Sequence, residues 1–545
     1  MLPSMASAAT WEWAASSGTW ATASNWNPAS VPTNNTADVI VNLSNGGTAT
    51  LGANWQAGAN SGVTVGSSNT LNLQAVVQLI GVGSYFTNNG TVQATSTAAS
   101  LRFSARTATN SGIIQANDGS LLTFWDSQNV ANSGTIQAKT GGTIRVWGSG
   151  AITGGQLKSE TGGTLLNDAS GNPNQTFTLT GVTVSNAGTF TTTQTVNTAA
   201  QAGTITTTLA TGTVFTNAVG AVTEVRNAGD VVTTTTNARA AAFNVNSGAT
   251  FTNAGTLLIQ NDAARTGSTT SQAITFTIAS GATAFTNTGT IKVVANTTAA
   301  GATATFTSAK SITNDGVVHI KGNASSQFAT FSVTGTGNDY TQSAGSGRRT
   351  VLEQGGALTV ADQVIITGGT LGGIGTITGA TTIGGDATLV AGETLASEGV
   401  AGAGVLAFNS TLTLANDSEV KIGLGLNTAG SGRITLAGAS NLMVGTNVTL
   451  TLSDLTAGNW VDGTTYRLFD LGTGTINNTN FSVNLIPSGW AAVLSSGAGG
   501  TDYLDVTLNA VANVPEPSAY AALGGATMLL WALGRRRRSG RIAAV

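Results

Sequence analysis

Apolar and polar side chains alternate in short stretches of four to six residues along most of the chain, and turn residues close each stretch. Asp38-Val-Ile-Val-Asn-Leu43, Thr91-Val-Gln-Ala94, Thr135-Ile-Gln-Ala138 and Val448-Thr-Leu-Thr-Leu452 are representative. A period of two sets one side of a strand against a core and the other toward water, so each stretch predicts a half-buried β-strand. Asn and Gly between the stretches suit tight turns because both tolerate φ > 0. No long helical period occurs before residue 518. The pattern predicts an all-β protein.

The stretches also repeat. Asn88, Asn110 and Asn132 are 22 residues apart, and so are Gln93, Gln115 and Gln137, and Val92, Ile114 and Ile136. Phe103, Trp125 and Trp147 share that spacing, while Thr140-Gly-Gly-Thr-Ile144 returns 21 residues later as Thr161-Gly-Gly-Thr-Leu165. Asn-x-Gly then recurs at Asn186, Asn227, Asn253, Asn287 and Asn314, at intervals of 26 to 41 residues. Short strands, Gly turns and aligned side chains at a period near 20 predict a parallel β-helix, or β-solenoid, in which neighbouring coils bury one another's apolar side chains. Roughly 20 coils stacked at about 4.8 Å would make a rod of about 90 Å. Right-handed coiling is the default for parallel crossovers.

The solenoid is expected over residues 10–360. Trp11, Trp13, Trp20 and Trp26 crowd its start and read as a capping first coil. From residue 361 the texture shifts to Gly-Thr-apolar runs such as Gly368-Gly-Thr-Leu-Gly-Gly-Ile-Gly-Thr-Ile-Thr-Gly379, followed by longer strands such as Tyr503-Leu-Asp-Val-Thr-Leu508. Residues 361–512 are therefore expected to form a C-terminal β unit that closes the open end of the rod, which would otherwise expose strand edges.

Composition removes several chemistries. Only 8 % of the 545 residues are charged, against roughly 25 % in an ordinary soluble domain. Cysteine is absent and His319 is the one histidine. A disulfide framework, a thiolate zinc site and a Cys nucleophile are thereby excluded, as is a His-rich metal cluster. Five of the 21 basic residues lie in the last eleven positions, so the preceding body carries 16 basic against 24 acidic groups. Such a body does not track a phosphate backbone, which needs clustered Lys and Arg. No nucleic-acid partner is expected.

Those last basic residues belong to a three-part tail spanning 513–545. Val514, Pro515, Glu516 and Pro517 precede an apolar run over 519–534, and Arg535, Arg536, Arg537 and Arg538 begin a basic end at 535–541. A helix over 519–534 would be about 24 Å long, short against a hydrocarbon core of about 30 Å. Flanking arginines can bridge the mismatch and favour the cytoplasmic side. A single short C-terminal transmembrane helix is therefore expected. The order of these parts resembles the PEP-CTERM sorting signal. That resemblance implies export, transient inner-membrane anchoring, processing by an exosortase, and a place in the cell envelope, at the cell surface or in an exopolysaccharide-rich matrix. Gly18-Thr-Trp20, Asn25-Trp26, Val31-Pro32 and the run from Gly368 to Gly379 resemble autotransporter-associated β-strand repeats. Met1-Leu-Pro-Ser-Met-Ala-Ser-Ala-Ala9 reads as the end of a signal peptide, with cleavage near Ala8 or Ala9 and the upstream part preceding Met1.

Candidate binding residues are few. Phe103, Trp125 and Trp147 form a candidate glycan-stacking ladder if they face outward; Phe124 points opposite to Trp125, so one of the two must be outside. Gln93, Gln115 and Gln137 are expected as an outer amide ladder, and Asn88, Asn110 and Asn132 as turn residues or a buried ladder. His319 reads as a surface strand residue. Asp118, Asp126, Lys139 and Arg145 are too sparse and out of phase for a catalytic groove. Gly372-Gly-Ile-Gly-Thr-Ile377 places Ile where a calcium-binding nonapeptide needs Asp. No catalytic residue, metal or cofactor is expected. The function expected is that of a non-enzymatic, exported structural protein. A carbohydrate-binding adhesin and a polysaccharide-degrading β-helix enzyme are the alternatives.

Overall fold

A computed structural model describes residues 8–80, 82–104, 107–125, 128–168, 174–194, 203–227, 239–262, 272–296, 302–323, 328–458, 460–486, 489–497, 500–511, 525–533 and 535. The alternating stretches are strands, and each pairs in parallel with the strand three positions later in the chain. Every coil thus lays one strand on each of three faces, here called A, B and C in chain order. Tyr85–Asn88, Thr91–Ala94 and Ser100–Ser104 are one such set. The ladder continues for about eighteen coils, which at about 4.8 Å per coil gives a rod of roughly 80 Å.

Register makes the repeat physical. Asn88 lies opposite Asn110 and Asn110 opposite Asn132 on face A, while Gln93, Gln115 and Gln137 align on face B. The Asn-x-Gly glycines are needed for a different reason than the sequence pattern implied. Neither Gly112 nor Gly289 has a positive φ. Instead, a Cβ on Gly112 would stand 2.0 Å from the Gly90 carbonyl oxygen, and one on Gly289 2.1 Å from that of Gly255. The corner backbones of successive coils touch, and only hydrogen fits between them.

The irregular Asn intervals have two causes. First, the Asn-x-Gly corner moves: Asn88, Asn110 and Asn132 end face-A strands, whereas Asn186, Asn253, Asn287 and Asn314 end face-B strands. Asn227 belongs to neither series, for it ends the face-C strand Val222–Asn227 and pairs with Asn261. Second, connection lengths vary, most of all at the corner between face C and the next face A. That connection has two residues after Trp125 and eleven after Asn227. Strand register on either side is unaffected.

Residue 360, where the sequence texture changes, is not an architectural boundary. It lies inside Arg349–Ala391, one continuous extended run that passes through all three faces for about two coils. Parallel pairing persists to Ser482–Ile486. Thr464–Thr475 still pairs in parallel with Gly432–Leu436, and it joins Thr501–Ala510 and Trp490–Ser496 in antiparallel pairs that close the far end. At the near end Ala9–Trp13 pairs with Val39–Leu43, and Trp26–Asn27 folds back antiparallel along its other edge. The tryptophans cluster at this end: Trp13 and Trp20 each meet Trp26 edge-on at 4.9 Å, and the Trp26 indole donates to the Trp20 carbonyl at 2.8 Å.

Inside the rod two columns of phenylalanine stack. On face B the rings of Phe215, Phe251 and Phe285 lie within 13° of parallel. On face A the successive pairs of Phe243, Phe276, Phe306 and Phe331 do so within 12°. Between the columns the contacts are edge-to-face, as at Phe251–Phe276, the geometry that ring quadrupoles favour.

Of the transmembrane helix expected over 519–534, residues 519–524 and 534 lie outside the described residues. The described residues 525–533 and 535 are helical, and among the described residues no helix is long and apolar enough to cross a membrane.

Candidate functional site

The outward row of face C gathers the most varied side chains at the N-terminal end of the rod. Gln56, Gln78, Arg102, Trp125 and Trp147 occupy successive register positions. Phe103 is not in that row, contrary to the 22-residue spacing. Ser100 pairs with Thr123, an offset of 23, so Arg102 and not Phe103 lies opposite Trp125. One additional residue between the two coils shifts the pairing, and in a strand a shift of one residue changes the face. The side chains of Phe103 and Trp125 lie outside the described set. Phe124 is 5 % exposed and faces the core. Trp147 is half-buried, with the Arg145 guanidinium 4.8 Å from its ring centre, and Arg145 also pairs with Asp168 at 2.6 Å.

Beside this row a groove of about 350 Å³ is lined by Asn34, Asn54, Gln56, Gln78 and Arg102. A neighbouring hollow of about 410 Å³ shares Trp55 with it and adds Trp20, Pro32 and Gln74. The Asn34 and Asn54 side-chain carbonyls accept from the Gln56 and Val76 backbone amides at 2.8 and 3.1 Å, which orients both amide groups toward the groove wall. Amides, one guanidinium and indole edges suit a neutral, hydroxyl-rich ligand through hydrogen bonds and apolar contact.

Other polar side chains serve the stack itself. The Gln115 amide donates to Gln93 at 3.0 Å and Gln137 to Gln115 at 2.8 Å, forming the outer ladder expected. The Asn88 and Asn110 amides donate to the next asparagine at 2.6 and 2.7 Å, in a fully buried column. A longer buried ladder runs Asn186, Asn217, Asn253, Asn287, Asn314 at 2.7 to 2.8 Å per step. Asn217 escapes the Asn-x-Gly pattern because Ala218-Val-Gly220 lengthens its turn; the Phe-Thr-Asn triplets at 215, 251 and 285 were the signal that could have found it. The same triplets announce the phenylalanine column.

The titratable groups cluster elsewhere, near Arg349–Ala391. His319 is 5 % exposed, not a surface residue. Its strand parity does point it outward, but the segment 392–403 crosses over that part of face C, with the Leu395 amide donating to Glu353 Oε1 at 2.6 Å. His319 Nε2 lies 3.4 Å from the same oxygen. Burial lowers the His319 pKa below its ordinary value, against the opposing pull of Glu353. Arg349 pairs with Glu393 at 2.6 Å, both buried, and also donates to the Thr394 and Leu395 carbonyls. Burial pushes the Glu393 carboxyl upward even so. The grouping of Asp118, Asp126, Lys139 and Arg145 disperses: Lys139 pairs with Glu160 at 2.7 Å, Arg145 with Asp168, and Asp126 lies outside the described residues. Among the described residues no three His, Asp or Glu side chains gather to hold a metal ion.

Val514, Pro515, Glu516, Pro517 and Arg536 to Arg538 lie outside the described residues. Arg535 is described, its guanidinium 4.7 Å from the Trp531 ring centre, and Met528, Leu529, Leu530 and Trp531 around it are exposed. No protein-family model matches this chain, and no curated protein matches it.

Proposed function

We propose that this chain is an exported, non-enzymatic structural rod of the cell surface or extracellular matrix, delivered through its C-terminal tail. The observation that carries the proposal is the order of that tail. Pro515-Glu-Pro517, an apolar run and Arg535 to Arg538 follow directly on the closed end of a capped solenoid. In this reading an exosortase recognises the Pro-Glu-Pro segment, the inner membrane holds the apolar run transiently, and the arginines keep the end cytoplasmic. The exposed apolar side chains of 528–533 fit burial in such a surrounding rather than in the rod. A rod stiffened by amide ladders and ring stacks fits a load-bearing or space-filling task. The ion pairs Arg145–Asp168 and Arg349–Glu393 tie carboxylates into the scaffold, which fits the absence of catalysis in this reading.

The test is to express the gene with its upstream codons in an exosortase-positive host and in an exosortase deletion, and to measure the C-terminal mass of the fractionated protein. Loss of the tail only in the positive host supports the proposal; an intact tail in both overturns the sorting step. A second reading, a carbohydrate-binding adhesin, is favoured by the amide-lined groove at Asn34, Asn54, Gln56, Gln78 and Arg102.

A further inference from the structure

Two columns of outward side chains on face A are threonine at ten of fourteen positions. One runs from Thr176 through Thr206, Ala242, Thr275, Thr305 and Thr330 to Ala357, and the second from Thr178 to Thr359, each in strict register over seven coils. Asn244 and Ser332 are the departures in the second column. Neither column contains a charged residue, whereas the outward rows of face C in the same coils carry Glu224, Arg226, Lys292, His319 and Lys321. We propose that this threonine face binds ice, the ligand being the ordered oxygen lattice of a crystal surface.

The geometry argues for a lattice rather than a single small molecule. Hydroxyls repeat at about 4.8 Å along each column and about 6.7 Å between the columns, over a length of about 30 Å. The coil repeat is close to the repeat of oxygens along one axis of the ice surface, so each coil can meet an equivalent water. β-Branched threonine on a strand is held in few rotamers, so little entropy is lost when it is matched to a lattice. Its methyl group limits competing hydration beside the hydroxyl, and the absence of charge avoids tightly oriented shells that no ice layer contains. The columns' hydroxyls make no hydrogen bond to any described residue.

Flatness is the independent requirement, because sheets ordinarily twist by 20 to 25° or so per strand. Directly beneath the columns Phe243, Phe276, Phe306 and Phe331 stack with interplanar angles of 12, 7 and 11°. Phe276 lies between Thr275 and Thr277 on the same strand. The four coils whose buried rings remain this parallel are translated along the axis with little rotation, which keeps their outer hydroxyls in one plane. The inference concerns the rod alone and does not depend on export.

The test uses the purified full chain and measures thermal hysteresis together with partition into a slowly growing ice front. Wild type should open a gap between melting and growth temperatures and enter the ice. Thr275→Lys combined with Thr305→Lys should close the gap to the buffer value, while Thr290→Lys on face C should leave it unchanged. Asn244→Thr, which removes one of the two departures from the second column, should widen it, and this variant does not depend on the lysines being tolerated. No gap and no partition for wild type would overturn the proposal, as would equal loss in the face-A and face-C lysine variants, or an unchanged gap in Asn244→Thr. Retention by microcrystalline cellulose without any effect on ice would also overturn it. None of these outcomes bears on tail processing, so the two proposals fail separately.

Discussion

His319 illustrates how one residue takes its character from a segment distant in the chain. Its strand neighbours Val318 and Ile320 are buried, and its own outward side is covered by the segment after Ala391. The groups facing it are Glu353, Lys292 and Lys321. Its folded pKa lies below the ordinary 6.5, so the unfolded chain takes up the proton first as pH falls. Stability from the neutral imidazole is therefore complete above about 6.5 and is lost as pH falls toward the folded value. Glu393 has the opposite sign: its raised pKa makes ionisation costly, and stability is lost as pH rises above about 4.5. His319→Gln should flatten the acid-side loss of the apparent unfolding midpoint between pH 7.5 and 5, with the Glu393 contribution common to both proteins. A wild-type-like slope in the variant would assign the loss elsewhere. Alternation made the outward parity of His319 legible; its burial was not, since the covering segment lies some 75 residues later.

At the scale of the elements, buried asparagine does what a purely apolar core cannot. Corner backbones present carbonyls and amides to the interior, and buried polar groups without partners are costly. Asn253 accepts from Asn217 and donates to Asn287 and to the Thr290 carbonyl. Asn253→Ala would leave donors and acceptors of two neighbouring coils unpaired, at about 2 to 4 kcal/mol. Thr252→Ala, on the outward side of the same strand, should change stability by less than about 0.5 kcal/mol. Denaturant unfolding of the two variants measures the difference, and equal effects would remove the ladder from the account. The 22-residue spacing exposed the first ladder. The second was obscured because insertions at the C-to-A corner change chain distance without changing register, and pairing depends only on register.

For the molecule as a whole the difficulty is its two ends, because a solenoid that stops exposes a full set of strand edges. The tryptophan cluster and the folded-back Trp26–Asn27 close one end; three antiparallel strands close the other. A chain ending after Asp454 would expose Thr449–Asp454, which otherwise pairs with Ser482–Ile486. It should self-associate into high-mass species seen by light scattering at concentrations where the full chain does not. Elution at the same oligomeric state would show that the antiparallel unit is dispensable as a cap. The change of texture at residue 361 reads as a new unit, but Gly-Thr-apolar strands of the same period continue the same coil, so architecture and texture part there.

The sequence by itself determined the fold class, the stacking of a repeat and the outer glutamine ladder, because these follow from local alternation and from spacings counted along the chain. It also contains the order of the C-terminal tail, on which the proposed sorting rests. Tertiary structure decided which residues share a row. It set Arg102 opposite Trp125 in place of Phe103, divided the asparagines between two corners, buried His319 under a distant segment, and aligned threonines from seven coils on one uncharged face. Those relations depend on pairing offsets between coils, and a single inserted residue alters an offset while leaving every local pattern intact.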